Sequence, residues 1–335
     1  YSVTVSQSGL DSTVGSNTIV TVDSATKTWS DLSSGSYIYW VNQGATVTFA
    51  YSNTVLSSTT GKQFVLYSST GGSPLTIYSN VAISGTYTIQ YYLNVTSPRS
   101  SPLGSGWYNT GSTVACTVAS STEAITSTSQ YSFASWTGTG TGSYSGTNIY
   151  PTNIVMNAPI TETASWNTQY LLQVNGIYAA TTINGVSASS AWINSGATAT
   201  FSVANLTGST GSRTGFSAWT GTGSGSYTGT LQTSTCTMNA AITEIASWTT
   251  QYQLTVTSTY GVVSGDGWYN EGATAYASVA SDLVSNTTTS RYTFNSWSDS
   301  STNASQSAAI TMNYPVIITA SWNTQYYLTV TTTHG

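Results

Sequence analysis

The side chains able to do chemistry in this 335-residue chain are few and far apart. Its one histidine, His334, stands next to the last residue, which excludes an internal Ser-His or Cys-His pair and a histidine-rich metal site. The ten acidic residues are dispersed. Only Glu162 and Glu244 occupy the same place in a repeat, two before Ala164 and Ala246, and Ile318 stands there in the last repeat. Solitary edge or inter-domain carboxylates are expected there, not an acid–base pair. Cys116 aligns with Phe49, Phe201 and Ala277, and Cys236 with Ile154 and Ile310. These are apolar positions, so two buried thiols are expected, with a cross-link between domains as the alternative. The glycine-rich segments 136–144 and 219–227 lack the lysine and following helix of a phosphate cradle. They read as hairpin loops, or, in a sharper reading, as a sugar- or partner-binding lip built on Tyr144 and Tyr227. No catalytic residue, cofactor site or metal site is expected.

Charged residues make up 4% of the chain and the net charge is −5, against roughly 25% charged residues in ordinary soluble domains. Five scattered basic residues, Lys27, Lys62, Arg99, Arg213 and Arg291, form no stripe for phosphates or anionic lipid, which excludes nucleic acid as a partner. With so few ionisable groups, stability is expected to depend little on pH. The 39% hydrophobic content, with 11 Trp and 24 Tyr, suffices for a core in each of several domains. The most apolar stretch, 315–322, is far shorter than the roughly 20 residues that span a bilayer. The start at Tyr1, with no charged apolar leader, is expected to be a processed end and implies export. Four sequons agree with an extracellular location and make Asn94, Asn205, Asn286 and Asn303 candidates for N-glycans.

The elements that must hold these residues repeat. An opening phrase of aromatic, Leu or Val, polar, Val occurs at Tyr1-Ser2-Val3-Thr4-Val5 and again from Tyr92, Tyr170, Tyr252 and Tyr327. Between copies lies a body marked by Trp-x-Asn-x-Gly, at Trp40, Trp107, Trp192 and Trp268. Phe133, Phe216 and Phe294 each precede a tryptophan by three residues, and Ala-Ser-Trp closes the last three bodies at Trp166, Trp248 and Trp322. Repeats starting at Gln90, Gln169 and Gln251 are separated by about 75 to 82 residues to the next. Segments such as 198–203 alternate apolar and polar side chains, the mark of half-buried strands. The expected fold is all-β, a tandem array of small antiparallel sandwich (Ig-like) domains: a divergent first domain at 1–89, then 90–168, 169–250 and 251–324, with 325–335 as a surplus strand.

The wording of these motifs, QYxLTV, GWYN, FxxW, ITMN and ASW, resembles internalin-type B-repeat modules and the repeats of secreted and surface proteins of thermoacidophilic archaea. The resemblance implies extracellular, non-catalytic spacer or adhesive modules. For the fold it implies two alternatives, grasp-like sheets with a short helix or the immunoglobulin-like sandwiches of archaeal thread-like filament subunits, and both remain open.

Four bodies and five opening strands leave one strand with no body of its own, and an unpaired strand invites another chain. Both ends carry the pattern: Tyr1, Val3 and Val5 at one, Tyr326, Leu328 and Val330 at the other. Donation of either strand to an identical subunit is expected to give a head-to-tail, non-closing homopolymer on the cell surface, as in chaperone-usher pili by mechanism alone. The alternatives are a stalk, adhesin or surface-layer-associated region of a longer surface protein, and the non-catalytic repeat region of a secreted enzyme.

Overall fold

The computed structural model describes residues 1–333 apart from positions 205, 207 and 209. The sequon at Asn205 and His334 therefore lie outside the described residues. The chain is all-β, with 55% of residues in strands and 2% in helix. It divides into two compact units, Tyr1–Gln169 and Tyr170–Gly335. Each unit holds two clusters of buried apolar side chains. In the first unit one cluster runs from Val3 to Tyr87 and the other from Leu93 to Ala164. In the second they run from Leu172 to Ala246 and from Leu254 to Ala320.

The parallel pairing of an opening with a closing strand recurs around each cluster. In the third module an opening strand, residues 172–175, lies parallel to the start of a long closing strand, Ile242–Ser258, with Leu172 opposite Ile242. Ser212–Thr222 pairs antiparallel with that closing strand, and Ser190–Asn194 flanks the opening one. A second sheet of four short strands contains Thr198–Val203, whose alternation places Ala199, Phe201 and Val203 inside and threonine outside. Phe201 meets Trp219 edge to face, ring centroids 5.0 Å apart, the arrangement aromatic quadrupoles favour.

The Phe-x-x-Trp motif needs a local irregularity. Side chains alternate faces along a strand, so residues three apart point to opposite sides. A bulge between Phe216 and Ala218, repeated between Phe294 and Ser296, adds the missing half-step. Both rings of each pair therefore reach the core side, with centroids 5.5 Å apart in both modules.

The first module departs from this plan where its sequence does. Phe64 is buried but no tryptophan follows it, and Tyr67 is exposed. Its core is closed by Tyr51 and Tyr87, whose hydroxyls donate to the backbone carbonyls of Ser6 at 2.8 Å and Ile19 at 3.1 Å. A four-residue helix, Trp29–Leu32, carries a capping box between Thr28 and Asp31.

Neighbouring modules within a unit are joined without a linker. The 16-residue strand Val81–Thr96 pairs parallel with Val3 to Ser8 through residues 81–86 and parallel with residues 160–163 through residues 93–96. It closes one module and opens the next. The 17-residue strand Ile242–Ser258 does the same in the second unit, where residues 254–258 pair with 316–320. The division between the units falls inside a third such strand, Ile160–Asn175.

Candidate strand-exchange joint

The joint inside the first unit shows what an opening strand requires. Leu93 and Val95 are buried, with the strand Gly106–Asn109 antiparallel on one side and residues 160–163 parallel on the other. Three polar side chains cross the joint in a row. Gln63 Nε2 donates to Gln90 Oε1 at 2.9 Å, and Gln90 Nε2 donates to Asn109 Oδ1 at 3.0 Å. The Tyr92 N–H donates to the Gly61 carbonyl at 2.8 Å. In the second unit Arg213 Nε donates to Gln251 Oε1 at 2.8 Å, Gln251 Nε2 to Asn270 Oδ1 at 2.9 Å, and the Gln253 N–H to the Gly211 carbonyl at 2.9 Å. Each row pins the register, because a one-residue slip turns every side chain to the wrong face. The asparagine is the one in Trp-x-Asn-x-Gly.

The C-terminal segment makes half of such a joint. The strand Val316–Tyr326 lies beside Ser290–Trp297, Arg291 Nε donates to Gln325 Oε1 at 2.8 Å, and the Tyr327 N–H donates to the Thr289 carbonyl at 2.8 Å. Beyond that point the pattern continues but its cover does not. Leu328 and Val330 are 81% and 78% exposed, against 0% and 4% for Leu93 and Val95 and 0% and 7% for Leu254 and Val256. Tyr326 is exposed as well. A groove lined by Thr287, Thr289, Arg291, Gln325 and Tyr327 marks the place.

The other terminal candidates are seated differently. Val3 and Val5 are fully buried in the first module, where Ser2–Ser8 pairs parallel with Val81–Thr96 and antiparallel with Ser36–Trp40. The Tyr1 ring is exposed, and its ammonium donates to the Val41 carbonyl at 2.8 Å.

Of the candidate glycan acceptors, Asn94 is exposed on the shared strand between buried Leu93 and Val95. Asn286 is exposed in a hairpin loop, its Nδ2 donating to Ser290 Oγ at 3.1 Å. Asn303 is exposed in a loop, and its Oδ1 accepts from the Ser305 hydroxyl at 2.7 Å. Among the described residues no group of three or more His, Cys, Asp or Glu side chains is placed to hold a metal ion. Among the described residues no helix is long and apolar enough to cross a membrane.

Glu162 and Glu244 are not at edges. Both are completely buried inside their modules. The Tyr144 N–H donates to Glu162 Oε1 at 2.7 Å and the Tyr227 N–H to Glu244 Oε1 at 2.8 Å, while Oε2 of each is buried without a partner. Burial pushes both carboxyls above the usual glutamate range, and the backbone hydrogen bond offsets only part of this. The glycine-rich loops close over them. A Cβ on Gly138 or Gly221 would lie 2.8 or 2.7 Å from a carboxylate oxygen and 2.3 Å from the tyrosine carbonyl, so only glycine lets the loop come this near.

The same loops carry no aromatic lip. Trp136 and Trp219 are buried, and the hydroxyls of Tyr144 and Tyr227 accept from the Asn148 and Leu231 N–H groups at 3.2 and 3.3 Å. Cys116 and Cys236 are free, buried thiols in separate cores. Burial, with a smaller contribution from the neighbouring glutamate, pushes Cys116 up to about 12 and Cys236 up to about 11. Neither is a nucleophile near neutral pH.

Compared with protein-family models, curated proteins and solved structures, the chain matches none.

Proposed function

We propose that this chain is a structural, non-catalytic subunit of an extracellular cell-surface filament, built of small Ig-like sandwich modules and polymerised head to tail by donation of the segment from Tyr326 onward. The observation that carries the reading is the exposure of Leu328 and Val330, in a pattern that is buried between two strands at Leu93 and Val95 and again at Leu254 and Val256. The buried apolar and hydrogen-bonding groups of a completed joint supply on the order of 8–12 kcal/mol, from five or six ladder bonds and two side chains. The strand that leaves an occupied slot gives up a similar amount, so the balance turns on the difference between the two strands.

In the first module that slot holds the chain's own Val3 and Val5, and polymerisation is an exchange of one strand for another. The incoming strand brings leucine where the resident has Val3, worth about 0.8 kcal/mol for the extra methylene. Exposed Asn303, in a loop outside the lining of the groove beside Tyr327, is the sequon this reading assigns to an N-glycan, whereas Asn286 stands in the hairpin that lines it.

Electron microscopy of the purified full chain tests the proposal. Thin unbranched filaments are expected from the parent and monomers from Leu328→Asp/Val330→Asp, whose exposed substitutions leave the cores intact. Filaments unchanged in that variant refute it. A second reading rests on the joints at Leu93 and Leu254, where one chain supplies both sides: a further module of a longer surface stalk covers the segment. Isolated beaded rods, with an intact native mass above that of 335 residues, decide for the stalk.

A further inference from the structure

The proposed filament leaves open which surface of a neighbour receives the segment and in what alignment. Given the filament reading, on which both assignments rest, the repeated polar row supplies them. Asn42 stands in Trp40-Val41-Asn42-Gln43-Gly44, the place held by Asn109 and Asn270 in the two complete rows. Its side chain is exposed and has no hydrogen-bond partner among the described residues. The resident strand Ser2–Ser8 brings no glutamine opposite it. Gln325 has the opposite deficit: Oε1 is engaged by Arg291, and Nε2 has no partner among the described residues.

The registers of the joints at Leu93 and Leu254 agree. Tyr92 faces Trp107 and Gln253 faces Trp268, with Gln90 facing Asn109 and Gln251 facing Asn270 two residues on. In the first module Ser2 faces Trp40. A segment that puts Tyr327 in the place of Ser2 therefore puts Leu328 and Val330 in the buried places of Val3 and Val5, and sets Gln325 opposite Asn42. We infer that the acceptor is the first module of a second copy, that its own residues 1–8 leave the slot, and that Gln325 aligns the incoming strand by bridging Arg291 of its own chain to Asn42 of the other.

Cysteine trapping tests this directly. Facing residues of an antiparallel pair have Cα atoms about 4.5–5.5 Å apart, within disulfide range, and the native thiols are buried. Full-length Asn42→Cys and Gln325→Cys chains, mixed under mild oxidation, are expected to give a reducible dimer, and the double variant a ladder of covalent oligomers. Asn42→Cys paired with Tyr326→Cys, one residue out of register, is the negative control. Asn42→Ala is expected to raise the concentration needed for assembly about fivefold to tenfold, and deletion of residues 1–8 to lower it. Filaments by microscopy with no Asn42–Gln325 cross-link, or with equal cross-linking in the shifted pair, overturn the alignment and leave the filament reading standing. Absence of filaments from the parent chain overturns both.

Discussion

Glu162 and Glu244 predict that the second and third modules gain stability as the solution is acidified. In the unfolded chain each carboxyl titrates in the ordinary glutamate range, near 4.5. In the fold, burial raises it. Between those two values the folded state holds a proton that the unfolded state has released, so unfolding free energy falls as pH rises. The stabilisation is complete below the unfolded value, declines through the window, and levels off above the folded value. Within the window the slope is about 1.4 kcal/mol per pH unit for each glutamate. For a module of this size that corresponds to about 6–11 °C in its Tm per pH unit.

The groups facing each carboxyl are Tyr144 and Cys116 for Glu162, and Tyr227 and Cys236 for Glu244. None of these is a cation that would hold the carboxylate ionised. The perturbation is Glu162→Gln with Glu244→Gln, which keeps an oxygen for the tyrosine N–H and cannot ionise. Scanning calorimetry from pH 3 to 8 should show two transitions in the parent that move down as pH rises, and both flattened in the variant. A parent whose transitions are level or rise across that range, or a variant with the same slope as the parent, refutes the reasoning. This qualifies the expectation from composition, since two buried carboxyls outweigh the scarcity of charge.

The first module should respond to acid in the opposite sense. Backbone and side-chain hydrogen bonds from Thr48 hold Asp23 below the usual aspartate range against its burial, so its contribution is present above the unfolded value and fades as pH falls. Its exposure keeps this below about 1 kcal/mol, which Asp23→Asn measured at pH 3 and pH 7 checks. Trp219→Ala removes a fully buried ring packed on Phe201 and Phe216 and should cost about 3–5 kcal/mol in urea unfolding; a loss under 1 kcal/mol would place the ring outside the core. Gly225→Ala puts a Cβ 1.9 Å from the Thr237 carbonyl at a φ of 93° and should cost more than about 1 kcal/mol, with the loss seen in the third module's transition. Cys116 and Cys236 should resist maleimide in the native chain and react fully in guanidinium; labelling at native-like rates would show the cores open.

Much of the architecture is legible in the residues because strands write themselves in period two. The alternation of 198–203 and the tryptophan of each Trp-x-Asn-x-Gly point directly to hairpin strands. The interior place of Glu162 was also written in that parity, since Ile160, Glu162 and Ala164 share a face, and Ile83 and Ile318 hold the matching position in the first and fourth modules. A carboxylate reads as exposed by type, and type prevailed over parity. The bulges after Phe216 and Phe294 break the alternation by one residue and have no signature of their own. The polar rows were hidden differently. Gln90, Gln169, Gln251 and Gln325 recur visibly before the tyrosine of the last four opening strands, but partners such as Gln63 and Asn109 lie on other strands, so only pairing shows what the glutamines hold.

The parallel pairing of opening and closing strands decides how a module carries load. In the third module chain enters along residues 172–175 and leaves along the start of Ile242–Ser258, side by side and running the same way. A pull on the two ends slides these strands lengthwise, so the cross-links between them must fail together and cannot open one at a time like a zipper. With no slack segment where Val81–Thr96 passes from the first module to the second, stretching these two modules is expected to meet this resistance at once.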